Sequence, residues 1–600
     1  MRLVGRVALW LGLASLVFAV GAAGGAYLYF HESVAAVAAK TPAVKRAAKQ
    51  LDVPLPGQPA VALVIGYDHR AEDGDGTPSR SDTLMLVRAD PGTDSISLLS
   101  FPRDLGVPIH CPGRTPFTDK IAHAYSYCGP QGSLDTVKAL TGLPVNYLIT
   151  VNFRSFREIV DRLGGLWLDI DRRYFNDRGG PTGYAKINLR PGYQQLTGRK
   201  ALDYVRYRHT DSDLYRVARQ QQFVKAFKSQ VQSSFAPTAL PKVVNAITKN
   251  VEVAQGGGAD VDGRTVLSYT LFAYGLPRGR VFQTRIEGLE GFANLTTASE
   301  NISRAVETFT HPDVESSEKA TAVALGEKLK RTAPAPRDTT VTVLNGNGVT
   351  GSASTAGYLL GQRGYRVLTP PNGLPANAPR FDYFRTQVYF ARSVRGSQEA
   401  ARRVANLFAS AEVKRVPTEI SPLGNDAMLT VVVGQTFHGS LASAPVDQTP
   451  KRERPNVVSA PSASRDLLRE LRPRLDFPLM VPTVIERSSW VDRTMPIRMY
   501  WIDEGRKHKA VRLVYRASSN EYWGVQMTNW ADAPALADKS HTRRIGGRVY
   551  DLYYDGPKLH MVVLKTPRGQ YWVVNTLLDR LSNETMLAIA KGLRPLGEVK

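Results

Sequence analysis

Cysteine is nearly absent: the 600 residues hold two, Cys111 and Cys128. At most one disulfide can form between them, and it would close a short loop around Lys120-Ile121; two separate thiols fit the sequence equally well. No cysteine has a histidine in supporting context, and no Gly-x-Ser-x-Gly elbow occurs, which removes protease-like and esterase readings. Acidic residues are also scarce, 54 Asp and Glu against 77 Lys and Arg, giving a net charge of +23 and a pI near 9.8. The chain therefore seeks anionic partners. No long internal repeat is present, and after Phe30 no second apolar run is long enough to span a bilayer.

One such run does occur. Val7 to Phe30 is uncharged and mostly apolar, long enough for a transmembrane helix, and Arg2 and Arg6 precede it. The positive-inside rule places the N-terminus in the cytoplasm and the bulk outside, at the cell membrane, as a single-pass protein. A cleaved signal peptide is the rival reading, with the small residues Gly21 to Gly25 as the cleavage region. In either case the bulk is extracytoplasmic. The positive charge then points to anionic wall polymers, lipid pyrophosphates or acidic headgroups, and no nucleic-acid partner is expected.

Composition divides the remainder, which is too long for one core. The expected layout is a cytoplasmic end and anchor (1–30), a stalk (31–58), a catalytic domain (59–325), a small second domain (340–437), a linker (438–464) and a third domain (465–600). The Pro-containing stretch Thr332 to Thr339 separates the first two domains. In the first, Val61 to Ile65 reads as a buried strand, with Thr83 to Val87 and Ile96 to Leu99 as further strands. Phe153, Phe156, Val160 and Leu163 recur at helical spacing up to Gly164-Gly165, and Leu166 to Ile170 resumes as strand. The predicted class is α/β, a central mixed sheet flanked by helices. The second domain reads as a small strand-helix-strand unit. Its Val341 to Gly348 strand and turn lack a following Gly-Lys-Ser/Thr and so read as a turn, not a phosphate loop. The third reads as α+β, an aromatic-rich antiparallel sheet with a closing helix from Ser582 to Leu593, its Trp and Tyr residues mainly core.

The chemistry concentrates in short motifs at the ends of these runs. They are Gly66-Tyr67-Asp68-His69-Arg70, Arg80-Ser81-Asp82-Thr83, Ser100-Phe101-Pro102-Arg103-Asp104, Arg206-Tyr207-Arg208-His209 and Arg216-Val217-Ala218-Arg219-Gln220. Guanidinium groups hold phosphate oxygens two at a time. Asp68 and Asp82 offer hard oxygens for Mg²⁺, and Arg70, Arg103, Arg206, Arg208, Arg216 and Arg219 can line the same rim. So many guanidiniums around one point require an anion, and a pyrophosphate satisfies them. Taken singly, each of these residues is more simply a structural ion pair; the set is what suggests phosphoryl transfer.

These motifs, with Lys120-Ile121-x-His123-Ala124-Tyr125 and Phe156 to Gly165, resemble in order and spacing the LytR-CpsA-Psr family over residues 60 to 290. A departure is Ala122, where many members have Asn. The resemblance implies transfer of a glycopolymer from a polyprenyl-pyrophosphate carrier to peptidoglycan, with a new phosphodiester link and Mg²⁺ as cofactor. It implies Asp68 and Asp82 as metal-linked aspartates, and Arg70, Arg103, Arg206, Arg208, Arg216 and Gln220 at the pyrophosphate. Asp68, Asp82, Arg103 and Arg206 are then the expected catalytic set. The proton of the acceptor hydroxyl would go to a carboxylate rather than to His123. The lipid tail is expected along Val137 to Ile149 and the helix Phe153 to Leu163. The second domain resembles the C-terminal domain often appended to such proteins. The alternatives are a non-catalytic wall-binding or scaffold protein and a transcriptional attenuator; no helix-turn-helix precedes the anchor, which argues against direct DNA binding.

Overall fold

In a computed structural model the described residues are 39, 41–68, 80–177, 186–207, 212–234, 251–258, 260–291, 294–328, 333–370, 373–391, 393–408, 411–442, 446–503, 505–518 and 520–599. The apolar run Val7 to Phe30, and with it the expected anchor, lies outside them; among the described residues no helix is long and apolar enough to cross a membrane. The architecture is mixed α/β.

A six-stranded sheet organises the first half of the chain. Its order is Glu252–Gln255, Tyr147–Asn152, Ala60–Asp68, Arg80–Asp90, Ser95–Phe101 and Val281–Arg285. The apolar residues Leu63, Ile65, Leu86, Leu99 and Leu148 are buried here, as continuous strand-like runs require when helices cover a sheet. The strand Ala60–Asp68 runs parallel to Tyr147–Asn152 and antiparallel to Arg80–Asp90, and Ser95–Phe101 is antiparallel to Arg80–Asp90 and parallel to Val281–Arg285. Four strands therefore point the same way. Their carboxyl ends bring Phe153, Asp68, the Phe101-Pro102-Arg103 turn and Arg285 to one edge, in that spatial order. In open α/β sheets this is the edge where ligands bind.

One register shift matters. Gly66 pairs with Thr83, but Tyr67 pairs with Ser81, so Asp82 is an extra residue on its strand. Such a bulge bends the strand and re-aims a side chain. Gly66 lies so close that a Cβ there would come within 3.1 Å of the Thr83 Cβ, which explains the glycine of the first motif.

The helix Phe153–Arg162 starts with Asn152 as N-cap and ends before Gly164 and Gly165, both at positive φ (80° and 98°), as the double glycine predicts. Cys111 and Cys128 form a disulfide, settling the choice that the sequence leaves open. It ties the start of the helix His123–Thr141 to the strand pair Gly106–Ile109 and Phe117–Lys120. A five-stranded sheet follows, ordered Arg366–Val367, Thr340–Asn345, Leu429–Val433, Thr386–Phe390, Ala411–Arg415. Its Asn345 to Gly348 stretch is a turn: the Asn345 side chain accepts from the Gly348 N–H (3.1 Å).

The last sheet is antiparallel, centred in spatial order on Lys509–Arg516, Tyr522–Thr528, Gly569–Val574, Lys558–Thr566 and Arg548–Asp555, with the helix Asn583–Lys591 against it. Trp523, Trp572, Tyr515 and Tyr571 are fully buried in it, so these aromatics serve packing. It also docks on the first unit. Arg512, fully buried, reaches Asp169 (3.1 Å), and the Tyr500 hydroxyl donates to the Tyr193 carbonyl (2.9 Å). Gly192 makes that approach possible, because a Cβ there would lie 2.5 Å from the Tyr500 oxygen. Leu577 and Leu578 pack on Leu214, Tyr215 and Ala218 of the helix Asp213–Ser234.

Candidate active site at the carboxyl edge of the sheet

Asp82 sits at the centre, 8% exposed. Arg103, carried past the end of its strand, donates from Nη1 to Asp82 Oδ1 (2.5 Å). Arg206, at the end of the helix Gly198–Arg206, donates from Nε to Asp82 Oδ2 (3.3 Å) and from Nη2 to Asp68 Oδ2 (3.5 Å). Its guanidinium also lies over the Phe153 ring, 4.0 Å from the centroid. Two aspartates and two arginines from four separate motifs thus share one another. Burial pushes the Asp82 carboxyl up, but Arg216, Arg206 and Arg103 outweigh it and hold the group below the ordinary aspartate range.

The helix Asp213–Ser234 supports this centre from behind. Asp213 accepts from the Arg103 backbone N–H (2.7 Å) and pairs with Arg216. Gln220 donates to the Asp82 carbonyl (3.3 Å), fixing the bulged strand. Arg216 is 2% exposed, so it acts on Asp82 mainly through its field. Arg219, its neighbour in the same motif, does not reach the rim. It is fully buried, donates to the Tyr207 carbonyl, and is surrounded by the rings of Tyr174, Tyr204 and Tyr207. Arg70 and Arg208 lie outside the described residues.

Other motif residues form the walls. Lys120 and Arg103 both approach the buried Asp104 (3.2 and 3.8 Å). Ser81 donates to the Ala122 carbonyl (3.2 Å); a backbone contact of this kind tolerates the alanine that departs from the family pattern. His123 is held through Nδ1 by Asp119 (2.9 Å), which also accepts from Tyr127. Val137, Val145 and Leu148, expected along the lipid tail, are fully buried in the sheet's core. Phe153, Phe156, Phe223 and Phe227 are only partly buried. They lead away from Arg206, with Phe156 and Phe223 4.6 Å apart and Phe223 and Phe227 6.3 Å apart.

Asp203 escaped sequence reasoning. It lies one turn before Arg206, and burial raises its carboxyl to about 6 despite Arg206, Arg199 and Arg157. Nothing in its local sequence signals burial. Asp555, His560 and Asp579 form a group whose ligand atoms lie within 4.8 Å of one another. Lys225 pairs with Asp555, and His560 Nδ1 lies 2.6 Å from Asp579. This network belongs to the interface between the first and last units and stands apart from Asp68 and Asp82.

Residues 26–270 match the model of the LytR_cpsA_psr family. This stretch is a LytR-CpsA-Psr domain. Residues 338–437 match a second model, described as LytR cell envelope-related transcriptional attenuator, so the five-stranded unit is a LytR C-terminal domain. Among curated relatives, a polyisoprenyl-teichoic acid–peptidoglycan teichoic acid transferase, TagU of Bacillus cereus, is 34% identical over 197 residues, covering 32% of this chain and 60% of TagU. An uncharacterised protein of Staphylococcus aureus is 35% identical over 199 residues, covering 32% of this chain and 48% of its own length. The chain thus spans less than two thirds of these relatives. Of solved structures, TagV of B. subtilis matches at 24% identity and a TM-score of 0.37, over 43% of this chain and 97% of TagV.

Proposed function

We propose that the LytR-CpsA-Psr domain transfers a glycopolymer from a polyprenyl-pyrophosphate carrier to peptidoglycan. The observation that carries this reading is the sharing of Asp82 by Arg103 and Arg206, with Asp68 on the same guanidinium. A structural ion pair needs one cation per carboxylate. Here two guanidiniums, each about a quarter exposed, converge on one carboxylate, while Arg216 behind them is paired with Asp213; a further anion at the open edge can meet Arg103 and Arg206 together. The name of TagU supports the same substrate class.

A sugar hydroxyl of peptidoglycan attacks the phosphorus that bears the polymer. A new P–O bond forms, the P–O bond to polyprenyl phosphate breaks, and the hydroxyl proton passes to a carboxylate. Arg103 and Arg206 turn from Asp82 toward the phosphate oxygens and spread the charge that develops on them. Asp82, kept ionised by its arginines, is a weak base. The residues fit Mg²⁺ in donor type, since Asp68 and Asp82 offer hard oxygens at one point. Held there with the pyrophosphate, the ion would neutralise charge on the transferring group. The aromatic row from Phe153 to Phe227 is the place for the tail, each buried CH₂ contributing about 0.8 kcal/mol. Residues 1–30 would anchor the chain, with its bulk outside the cell membrane.

The test is incubation of the full chain with a defined lipid-pyrophosphate sugar and peptidoglycan, with Mg²⁺ or with a chelator. Polyprenyl phosphate should appear only when lipid, acceptor and metal are all present. Binding of the lipid without release would leave a scaffold.

A further inference from the structure

A cavity of about 350 Å³ lies beside this edge, on the side away from the aromatic row. Three parts of the chain enclose it: the strand Val281–Arg285 with the helix Ser299–Thr310, the linker residues Val446 and Gln448, and the Asp555–Lys558 hairpin with Asp579 of the last unit. The linker is fixed over it, since Val446 N–H donates to the His311 carbonyl (3.3 Å) and Gln448 N–H to Asp313 (3.3 Å). Arg285 joins the cavity to the arginine centre. It pairs in register with Ser100 and donates to Gln221 (3.1 Å), which in turn donates to the Ser100 hydroxyl (3.2 Å). The strand Val281–Arg285 is one position beyond the strand that delivers Arg103, a step of about 5 Å.

Both charge signs line this space. Arg285, Arg304 and Lys558 supply cations, Glu287, Asp555 and Asp579 supply anions, and neither Arg304 nor Lys558 makes an ion pair with a described residue. Such a lining suits a polar, zwitterionic ligand and offers little to a hydrocarbon tail.

Phosphoryl transfer adds a direction. The attacking and leaving oxygens stand roughly in line across phosphorus. With the polyprenyl phosphate leaving toward Phe153 at one side of the edge, the attacking hydroxyl must arrive from the other, where Arg285 and the cavity lie. Resting on the proposed transfer, we propose that this cavity is the acceptor subsite. It takes a peptidoglycan disaccharide-peptide, whose stem carboxylates meet Arg304 and Lys558, and the last unit is present to complete it.

The test uses the full chain and a soluble disaccharide-peptide. Calorimetric titration should show binding that weakens at least tenfold in the double variant Arg304→Ala, Lys558→Ala, as loss of charge-assisted contacts implies. Both residues lie at the surface, away from the arginine centre. In steady-state transfer the same variant should raise KM for the acceptor about tenfold, leaving kcat and KM for the lipid donor unchanged. Binding that is lost in the variant, in a wild-type chain that releases no polyprenyl phosphate, would keep the subsite and discard the transferase reading. Wild-type transfer with acceptor binding and KM indifferent to both substitutions, or a loss that falls on the donor lipid, would overturn the subsite.

Discussion

Arginine does two different jobs on the two sides of the helix Asp213–Ser234. Toward the carboxyl edge of the sheet, Arg103 and Arg206 are about a quarter exposed and share Asp82 between them. Toward the last unit and within the domain, Arg512 and Arg219 are fully buried, one paired with Asp169 and the other enclosed by three tyrosine rings. The residue type is the same, and three of the four arginines come from the same motif set. What separates them is access to solvent and the sharing of one carboxylate by two guanidiniums. A guanidinium with its own partner and no solvent path holds structure together, while guanidiniums that crowd one carboxylate at an open edge wait for an anion.

The sharpest way to break this contrast is at the shared carboxylate. Asp82→Ala should lower transfer on the order of a thousandfold, about 4 kcal/mol of transition-state stabilisation, with the fold intact by circular dichroism. Activity within about threefold of wild type, with the same Mg²⁺ dependence, would remove Asp82 from the mechanism. On the structural side, Arg512→Ala leaves Asp169 buried without its cation and should cost about 3–5 kcal/mol in denaturant unfolding. Unchanged unfolding, with no new proteolytic cleavage between the first and last units, would show that the docking contributes nothing.

Reduction of the Cys111–Cys128 bond, which closes a separation of 17 residues, should cost about 3 kcal/mol, measured as a lower Tm in dithiothreitol. The smallest effect concerns Asp203. Its folded pKa, about 6, lies above the value of an unfolded aspartate, near 3.9. Its contribution to stability is therefore complete below about pH 4 and is lost as the pH rises through about 6. Asp203→Asn should flatten the Tm profile across that window and stabilise the fold slightly at pH 7.5, by less than about 1 kcal/mol after solvent screening. A variant profile parallel to wild type would place the titration elsewhere.

Much of this was legible in the residues. Val61 to Ile65 and Ile96 to Leu99 announce buried strands because both faces of the sheet are covered, and the motifs at their ends announce a site because strand ends converge. Gly164-Gly165 marks its helix end for a local reason, the positive φ that glycine adopts freely. The bulge that singles out Asp82 was not legible, since register depends on the partner strand. Nor was the fate of Arg219: Arg216 and Arg219 read alike in sequence, and only the packing of Tyr174, Tyr204 and Tyr207 distinguishes them. The Arg512–Asp169 pair joins residues 343 apart, a separation that no local pattern encodes.

The most direct test of the contrast sets Arg206→Lys beside Arg219→Lys, measuring polyprenyl phosphate release and Tm for each. Lysine keeps the charge but loses the planar fork. At the shared centre, release should fall by more than about thirtyfold while Tm stays near wild type, because Arg206 is partly exposed. In the tyrosine cage, Tm should fall while the folded protein still transfers at close to the wild-type rate. Equal losses of release in both variants, or a fall in Tm confined to Arg206→Lys, would contradict the division between reactive and structural arginines.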